Sequence, residues 1–170
     1  MDLRRYIRDV PDFPKKGIVF KDITPLLKDG QALQYALTSL SERFRDRGID
    51  KVVGIESRGY IFAPAIAIHL KAGFVPVRKP GKLPWKTVAE EYALEYGKDR
   101  LEIHTDAIAP GERVLIVDDL LATGGTASAT RRLIERLEGN VVGAGFLVEL
   151  TFLEGRGRLP GVDIVSLIDY

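Results

Sequence analysis

The stretch Val114-Leu115-Ile116-Val117-Asp118-Asp119-Leu120-Leu121-Ala122-Thr123-Gly124-Gly125-Thr126 decides the fold of this 170-residue chain. Four consecutive branched apolar residues predict a buried strand. Two carboxylates, Asp118 and Asp119, stand at its carboxyl end, a Thr/Gly/Gly/Thr turn follows, and residues 127–137 are helix-like. Free backbone N–H groups at a helix N-terminus, with the helix dipole behind them, favour a phosphate. Adjacent carboxylates repel unless a cation or a pair of hydroxyls uses them. The stretch therefore suggests a ligand with both a sugar diol and a phosphate. The competing reading is a plain tight turn after a strand, for which two glycines suffice. Neither G-x-x-x-x-G-K-[ST] nor G-x-G-x-x-G is present, which disfavours a nucleoside triphosphate or a dinucleotide.

Working outward, strand and helix signals alternate. Residues 2–10 predict a short helix that Pro11 and Pro14 end, leaving extended chain to Phe20. Asp29 is a fitting N-cap for a helix over 30–45, where Leu33, Leu37, Leu40 and Phe44 form one buried stripe and Gly48 closes the element. Strands are expected at 51–55, 74–77, 140–150 and 162–168, and a helix at 61–70 with Pro64 near its start. Residues 78–100 differ: prolines, charges, Trp85, Tyr92 and Tyr96 predict a loop or β-hairpin outside the main sheet, with 101–104 returning from it. Pro110-Gly111 is a turn. The fold expected is α/β, a mostly parallel twisted sheet flanked by helices, in one domain over 1–170.

The bulk numbers exclude several classes. A net charge of +1 gives no electrostatic footprint for nucleic acid. The absence of cysteine removes disulfides and thiolate metal sites. The charged N-terminus lacks an apolar signal region, and no segment is long and apolar enough for a membrane span, so the expected location is cytoplasmic. His69 and His104 are too isolated to suggest a metal site.

Residues 114–126 resemble the phosphoribosyl-pyrophosphate signature of the type I phosphoribosyltransferases, most closely the adenine-using branch of that family. The resemblance implies that Asp118 and Asp119 contact ribose hydroxyls and that Ala122, Thr123, Gly124, Gly125 and Thr126 wrap a 5′-phosphate. It extends from Pro11 to about Leu150, through four further constellations. Glu56-Ser57-Arg58-Gly59-Tyr60 follows a strand; it is either a turn with a surface arginine or a pyrophosphate site made of backbone N–H groups and the Arg58 guanidinium. The family uses this segment as its pyrophosphate loop, often with a cis peptide, here between Glu56 and Ser57. Arg78-Lys79-Pro80-Gly81-Lys82 is either a solvated turn or a second pyrophosphate contact through Arg78, Lys79 or Lys82. The arm around Phe13 and Gly17-Ile18-Val19-Phe20-Lys21, within residues 1–28, either packs its phenylalanines into the core or forms a hood over a flat base. In the hood, Phe20 stacks on a purine, Val19 offers backbone hydrogen bonds, and Lys21 stands where family members often carry arginine.

Glu90-Glu91-Tyr92-Ala93-Leu94-Glu95-Tyr96-Gly97 is either an exposed hairpin or a flexible catalytic lid. The family implies the lid, with Tyr96 in it and Glu95 as the proton acceptor for the base. The resemblance also implies transfer of a phosphoribosyl group to adenine in purine salvage, magnesium carried mainly by substrate pyrophosphate, and a homodimer; no all-protein magnesium cage is visible. A xanthine or hypoxanthine enzyme is the nearest alternative, since backbone groups can recognise either a 6-oxo or a 6-amino purine. A phosphoribosyl-pyrophosphate-sensing DNA regulator is disfavoured by the balanced charge and by the lack of room for a helix-turn-helix module before Pro11.

Overall fold

The computed structural model describes residues 1–94 and 97–170. In chain order its elements are β1 (Arg8–Pro11), β2 (Val19–Asp22), α1 (Thr24–Lys28), α2 (Gly30–Phe44), β3 (Lys51–Ile55), α3 (Gly59–Leu70), β4 (Gly73–Val77), β5 (Thr87–Leu94), β6 (Gly97–His104), β7 (Arg113–Leu121), α4 (Gly125–Arg136), β8 (Asn140–Glu149) and β9 (Ile164–Asp169). Short 3-10 turns occupy Leu3–Tyr6, Thr151–Leu153 and Gly155–Arg158. Five strands in the order β4-β3-β7-β8-β9 form one sheet in which every neighbouring pair is parallel.

Such a sheet needs cover on both faces, which explains why β7 begins as an uninterrupted apolar run. Val114 and Ile116 pack with Ala127, Leu133 and Ile134 of α4. Leu115 and Val117 pack on the opposite face with Ala36, Leu40 and Phe44 of α2 and Phe62 and Ile66 of α3. The topology also places the site. Strand β3 leads through α3 to β4 on one side, whereas its neighbour β7 leads through α4 to β8 on the other. Chain leaving these two adjacent strands diverges, and a crevice opens beyond their carboxyl ends.

Several sequence expectations need correction. Asp118 and Asp119 lie within β7, which continues to Leu121 in register with β8. Val117 and Leu120 pack on the same face, so side-chain alternation breaks across the two acids. Asp29 does cap α2, accepting hydrogen bonds from the N–H groups of Gln31 and Ala32 at 3.1 and 2.9 Å. The most deeply buried stripe of α2, however, runs through Ala32, Ala36, Leu40 and Phe44, with Leu33 and Leu37 only partly buried. Small side chains there let the helix lie close to its neighbours. Helix α3 begins at Gly59, so Pro64 falls inside it rather than in its first turn.

The helix expected over 2–10 is replaced by the 3-10 turn and β1, which pairs antiparallel with β2. Oppositely charged cross-strand neighbours explain the preference: Arg8 faces Asp22, and Lys21 faces Asp9 with Nζ 2.7 Å from the carboxylate. Residues 78–100 do leave the main sheet, but 101–104 do not return to it, because they complete β6 in a separate antiparallel pair with β5. Arg78 and Glu102 exchange backbone hydrogen bonds at 3.0 and 2.7 Å and fasten it to the end of β4. From α4, Arg132 binds Glu90 at 2.6 Å and Arg136 donates to the carbonyl of Ala89 at 2.6 Å.

Strand β8 ends in Glu149, whose side chain is 3% exposed. Arg156 grips this carboxylate with two bonds of 2.7 and 2.6 Å, and Ser166 Oγ donates at 2.8 Å. Burial pushes the Glu149 carboxyl up, but the Arg156 and Ser166 bonds outweigh it and hold the group below its ordinary value of 4.5. A lowered folded-state value means that stability is present above the unfolded value and is lost as pH falls through the folded one. Glu149→Ala, which removes both guanidinium bonds but leaves the half-exposed Arg156 to water, should therefore cost about 1–3 kcal/mol at neutral pH. In denaturant titrations the gap from wild type should narrow as pH falls below that ordinary value; a gap independent of pH would refute the ionic origin.

Candidate active site

The crevice between β3 and β7 holds a cavity of about 280 Å³. One wall is Glu56, Ser57 and Arg58 after β3; the other is residues 118–127 at the end of β7 and the start of α4. Lys79, Tyr92 and Leu101 close a third side. The structure thus brings Asp118, Asp119, Ala122, Thr123, Gly124, Gly125 and Thr126 together with Glu56, Ser57, Arg58 and Lys79 around one space. Residues separated by some sixty positions in the chain meet there because β3 and β7 are sheet neighbours.

On the β7 side, Asp119 is 3% exposed and forms an ion pair with Arg58, Nε to Oδ2 2.9 Å. Asp118 accepts the backbone N–H of Asp119 at 2.9 Å. Burial, and then the neighbouring Asp119 charge, push the Asp118 carboxyl well above its ordinary value. Burial also raises Asp119, opposed by Arg58. The pair is therefore short of positive charge. The turn that follows is made possible by Gly124, at φ +78°, in the left-handed region that side chains disfavour. Helix α4 starts at the next residue, and its first-turn N–H groups have no partners within the helix.

On the β3 side the Glu56–Ser57 peptide is cis. The Glu56 carboxylate accepts the Lys79 backbone N–H at 3.0 Å and Arg78 Nε at 3.2 Å, fixing the 78–82 segment to the β3 loop. Arg78 Nη1 also donates to the Lys82 carbonyl at 3.2 Å. Arg78 and Lys82 consequently stand outside the cavity lining, unlike Lys79. The Lys79 ammonium binds Asp99 of β6 at 2.7 Å, and the Tyr92 hydroxyl donates to the same carboxylate oxygen at 3.1 Å. Asp99 was not visible as a site residue in the sequence, where it is one acid among many in a charged hairpin.

The N-terminal arm reaches the site at Arg58. Arg58 lies over the Phe20 ring, 5.2 Å from its centroid, and Phe13 meets Phe20 edge-on at 5.2 Å. Val19, beside it, is exposed. Lys21 is the clear departure from expectation: its Nζ binds Asp9 and sits 3.8 Å from the centroid of the Tyr170 ring. A strand alternates its side chains, so turning Phe20 toward Arg58 turns Lys21 away. Glu95 and Tyr96, the lid residues expected from the sequence, lie outside the described residues. His104 accepts a hydrogen bond from the Trp85 N–H at 3.3 Å, and His69 bonds the Ala65 carbonyl at 2.8 Å.

Among the described residues no group of three or more His, Cys, Asp or Glu side chains is placed to hold a metal ion. The lining carboxylates are Glu56, Asp118 and Asp119; Glu56 is committed to the 78–79 segment and Asp119 to Arg58. This donor set fits an ion that arrives with substrate oxygens and finds nearby acids rather than a protein cage.

A phosphoribosyl transferase domain model matches residues 26–159. Adenine phosphoribosyltransferase from Symbiobacterium thermophilum is 58% identical over the full length of both chains, and that from Gloeobacter violaceus 60%. The chain belongs to the adenine phosphoribosyltransferase family. Solved members of the family share its fold. The Thermoanaerobacter pseudethanolicus adenine phosphoribosyltransferase superposes with a TM-score of 0.97 at 54% identity, covering 99% of this chain and 98% of that one. The Saccharomyces cerevisiae adenine phosphoribosyltransferase, complexed with an imino-altritol bisphosphate and adenine, gives 0.91 at 42% identity, covering 98% and 96%.

Proposed function

We propose that this chain transfers the 5-phosphoribosyl group of 5-phosphoribosyl 1-pyrophosphate to adenine, forming AMP and pyrophosphate, a purine salvage step. The observation that carries the reading is the pairing, across one cavity of about 280 Å³, of a diacid and glycine turn with two loops that bring Arg58 and Lys79. The two ends suit a sugar phosphorylated at both ends, and the membership of the adenine branch supplies the base.

The chemistry follows from those parts. The bond between the anomeric carbon and a pyrophosphate oxygen breaks, its electron pair leaving with pyrophosphate, and a purine nitrogen forms the new bond. Positive charge develops on the sugar ring, as in other glycosyl transfers. Asp118 and Asp119 hold the ribose diol, and their negative charge, only partly offset by Arg58, favours the cationic ring. The 122–126 turn anchors the 5′-phosphate. Ser57, Arg58 and Lys79 receive the pyrophosphate, which competes with Asp99 for the Lys79 ammonium. Asp118 and Asp119 could help hold a magnesium ion carried in on pyrophosphate oxygens, which would supply charge neutralisation for the leaving group. Phe20, already seated on Arg58, forms the face on which the purine stacks.

The proton displaced from adenine goes to Glu95, carried by the β5–β6 excursion that acts as the lid. Glu95→Gln should lower kcat by about 10²–10⁴-fold with much smaller changes in either KM, because the lost step is proton transfer rather than binding. Steady-state kinetics with both substrates checks this, and unchanged kcat would remove Glu95 from the chemistry. Dimerisation belongs to the same reading: Ile61 and Ile68 lie on α3 and Phe74 on the edge strand β4, all apolar and exposed.

A purine panel tests the specificity. Adenine, hypoxanthine, guanine and xanthine are each supplied with phosphoribosyl pyrophosphate and magnesium. Turnover of adenine alone is expected; turnover of a 6-oxopurine without adenine would overturn the base assignment and leave the transfer reaction standing.

A further inference from the structure

We infer that Gly155 and Arg156 are positioning residues for the phosphate loop, acting through a backbone contact between Gly155 and the 122–124 turn that the buried Glu149 carboxylate holds in place. The inference rests on the phosphate assignment of that turn.

The contact is closer than any side chain allows. A Cβ on Gly155 would lie 2.3 Å from the Ala122 carbonyl oxygen and 3.1 Å from the Gly124 nitrogen, and one on Gly124 would lie 2.4 Å from the Gly155 carbonyl oxygen. The turn thus rests against the Gly155 backbone on the side that its own residues cannot brace. Gly155 is in turn fixed by its neighbour. Arg156 holds Glu149 with two bonds, and it also donates to the Ile164 carbonyl at 3.0 Å and to Ser166 Oγ at 3.1 Å. These partners sit on β8 and β9, two hydrogen-bonded neighbours in the main sheet. Glu149 is the register partner of Leu121, the last residue of β7 before the turn, and the Leu150 N–H bonds the Leu121 carbonyl at 2.9 Å. Both ends of the brace therefore start from the same point in the sheet, and a planar guanidinium fork sets the distance between them. A phosphate bound by backbone N–H groups tolerates little displacement of those groups, so the brace acts on phosphate affinity.

The test uses ribose 5-phosphate, which carries the phosphate and the diol but no leaving group, titrated calorimetrically into the full chain. Gly155→Ala is expected to raise its Kd by about tenfold or more. Arg156→Lys, which keeps the charge and loses the fork, should weaken binding in the same direction by less. A remote core variant, Leu40→Ala, should lower Tm and leave the Kd unchanged, which separates positioning from general destabilisation. In kinetics the KM for phosphoribosyl pyrophosphate should rise in Gly155→Ala while the KM for adenine stays near wild type. Should Gly155→Ala fail to fold, Arg156→Lys carries the same comparison. Wild-type affinity in both folded brace variants, or equal weakening in Leu40→Ala, would overturn the inference alone. Failure of the wild-type chain to bind ribose 5-phosphate would overturn the phosphate assignment and this inference together.

Discussion

Asp118→Asn is expected to make the ligand-free chain more stable at neutral pH and nearly inactive. Burial and the adjacent Asp119 charge raise the Asp118 carboxyl above its ordinary value of 3.8. The folded state therefore holds the proton more tightly than the unfolded chain does. Below the ordinary value both states are protonated and nothing is lost; as pH rises through the folded value, ionisation costs folding stability. Asparagine cannot ionise, yet keeps an oxygen to accept the Asp119 N–H that Asp118 accepts at 2.9 Å. The gain should be about 1 kcal/mol at pH 7, or about 2–4 °C in Tm for a chain of this size. The loss should be about 10²–10³-fold in kcat/KM, because a charge that stabilises the cationic sugar is gone. Thermal unfolding across the acidic to neutral range, with kinetics on the same preparations, checks both halves. A variant less stable than wild type at pH 7, or one with wild-type kcat/KM, would contradict the role of the diacid.

Gly124→Ala should abolish most activity through geometry alone. At φ +78° an alanine pays about 1–2 kcal/mol in backbone conformation. Its Cβ would also lie 2.4 Å from the Gly155 carbonyl oxygen, so the turn must move. A shift of about 1 Å in the groups that hold a reacting ligand costs on the order of 10²-fold. The loss should fall on kcat/KM for phosphoribosyl pyrophosphate. Gly111→Ala is the matched control: φ is +81°, yet nothing lies within 4 Å of the new carbon, so stability falls and activity does not. Equal kinetic effects at both positions would mean that backbone strain, rather than the packing of the phosphate turn, is responsible.

What the sequence disclosed follows from what is local. The diacid and the Gly-Gly turn carry their chemistry within a dozen residues, and the buried β7 run and the Asp29 cap are equally self-contained. The parallel sheet follows from alternation over the whole chain. Features set by long-range pairing were hidden. Residues 8–11 form a strand because Arg8 and Asp9 meet Asp22 and Lys21, which no helical propensity at 2–10 reveals. That same pairing turns Lys21 toward Asp9 and Tyr170 and away from the cavity. Arg78 and Lys82 looked equivalent to Lys79 as cations in one loop; Glu56 decides among them by taking Arg78 for itself. The part of Gly155 and Arg156 lies in a contact with residues thirty positions earlier, which no local pattern discloses. Glu95 and Tyr96 lie outside the described residues, so their assignment still rests on the family resemblance.

The most direct test of the transfer reaction is its stoichiometry. The purified chain is incubated with adenine, phosphoribosyl pyrophosphate and magnesium, and AMP and pyrophosphate are quantified from the same samples over time. The two products should appear in equal amounts, only when adenine is present, and far more slowly with Asp118→Asn. Pyrophosphate release that does not depend on adenine would mean that the phosphoribosyl group passes to water, and the absence of AMP would contradict transfer to adenine.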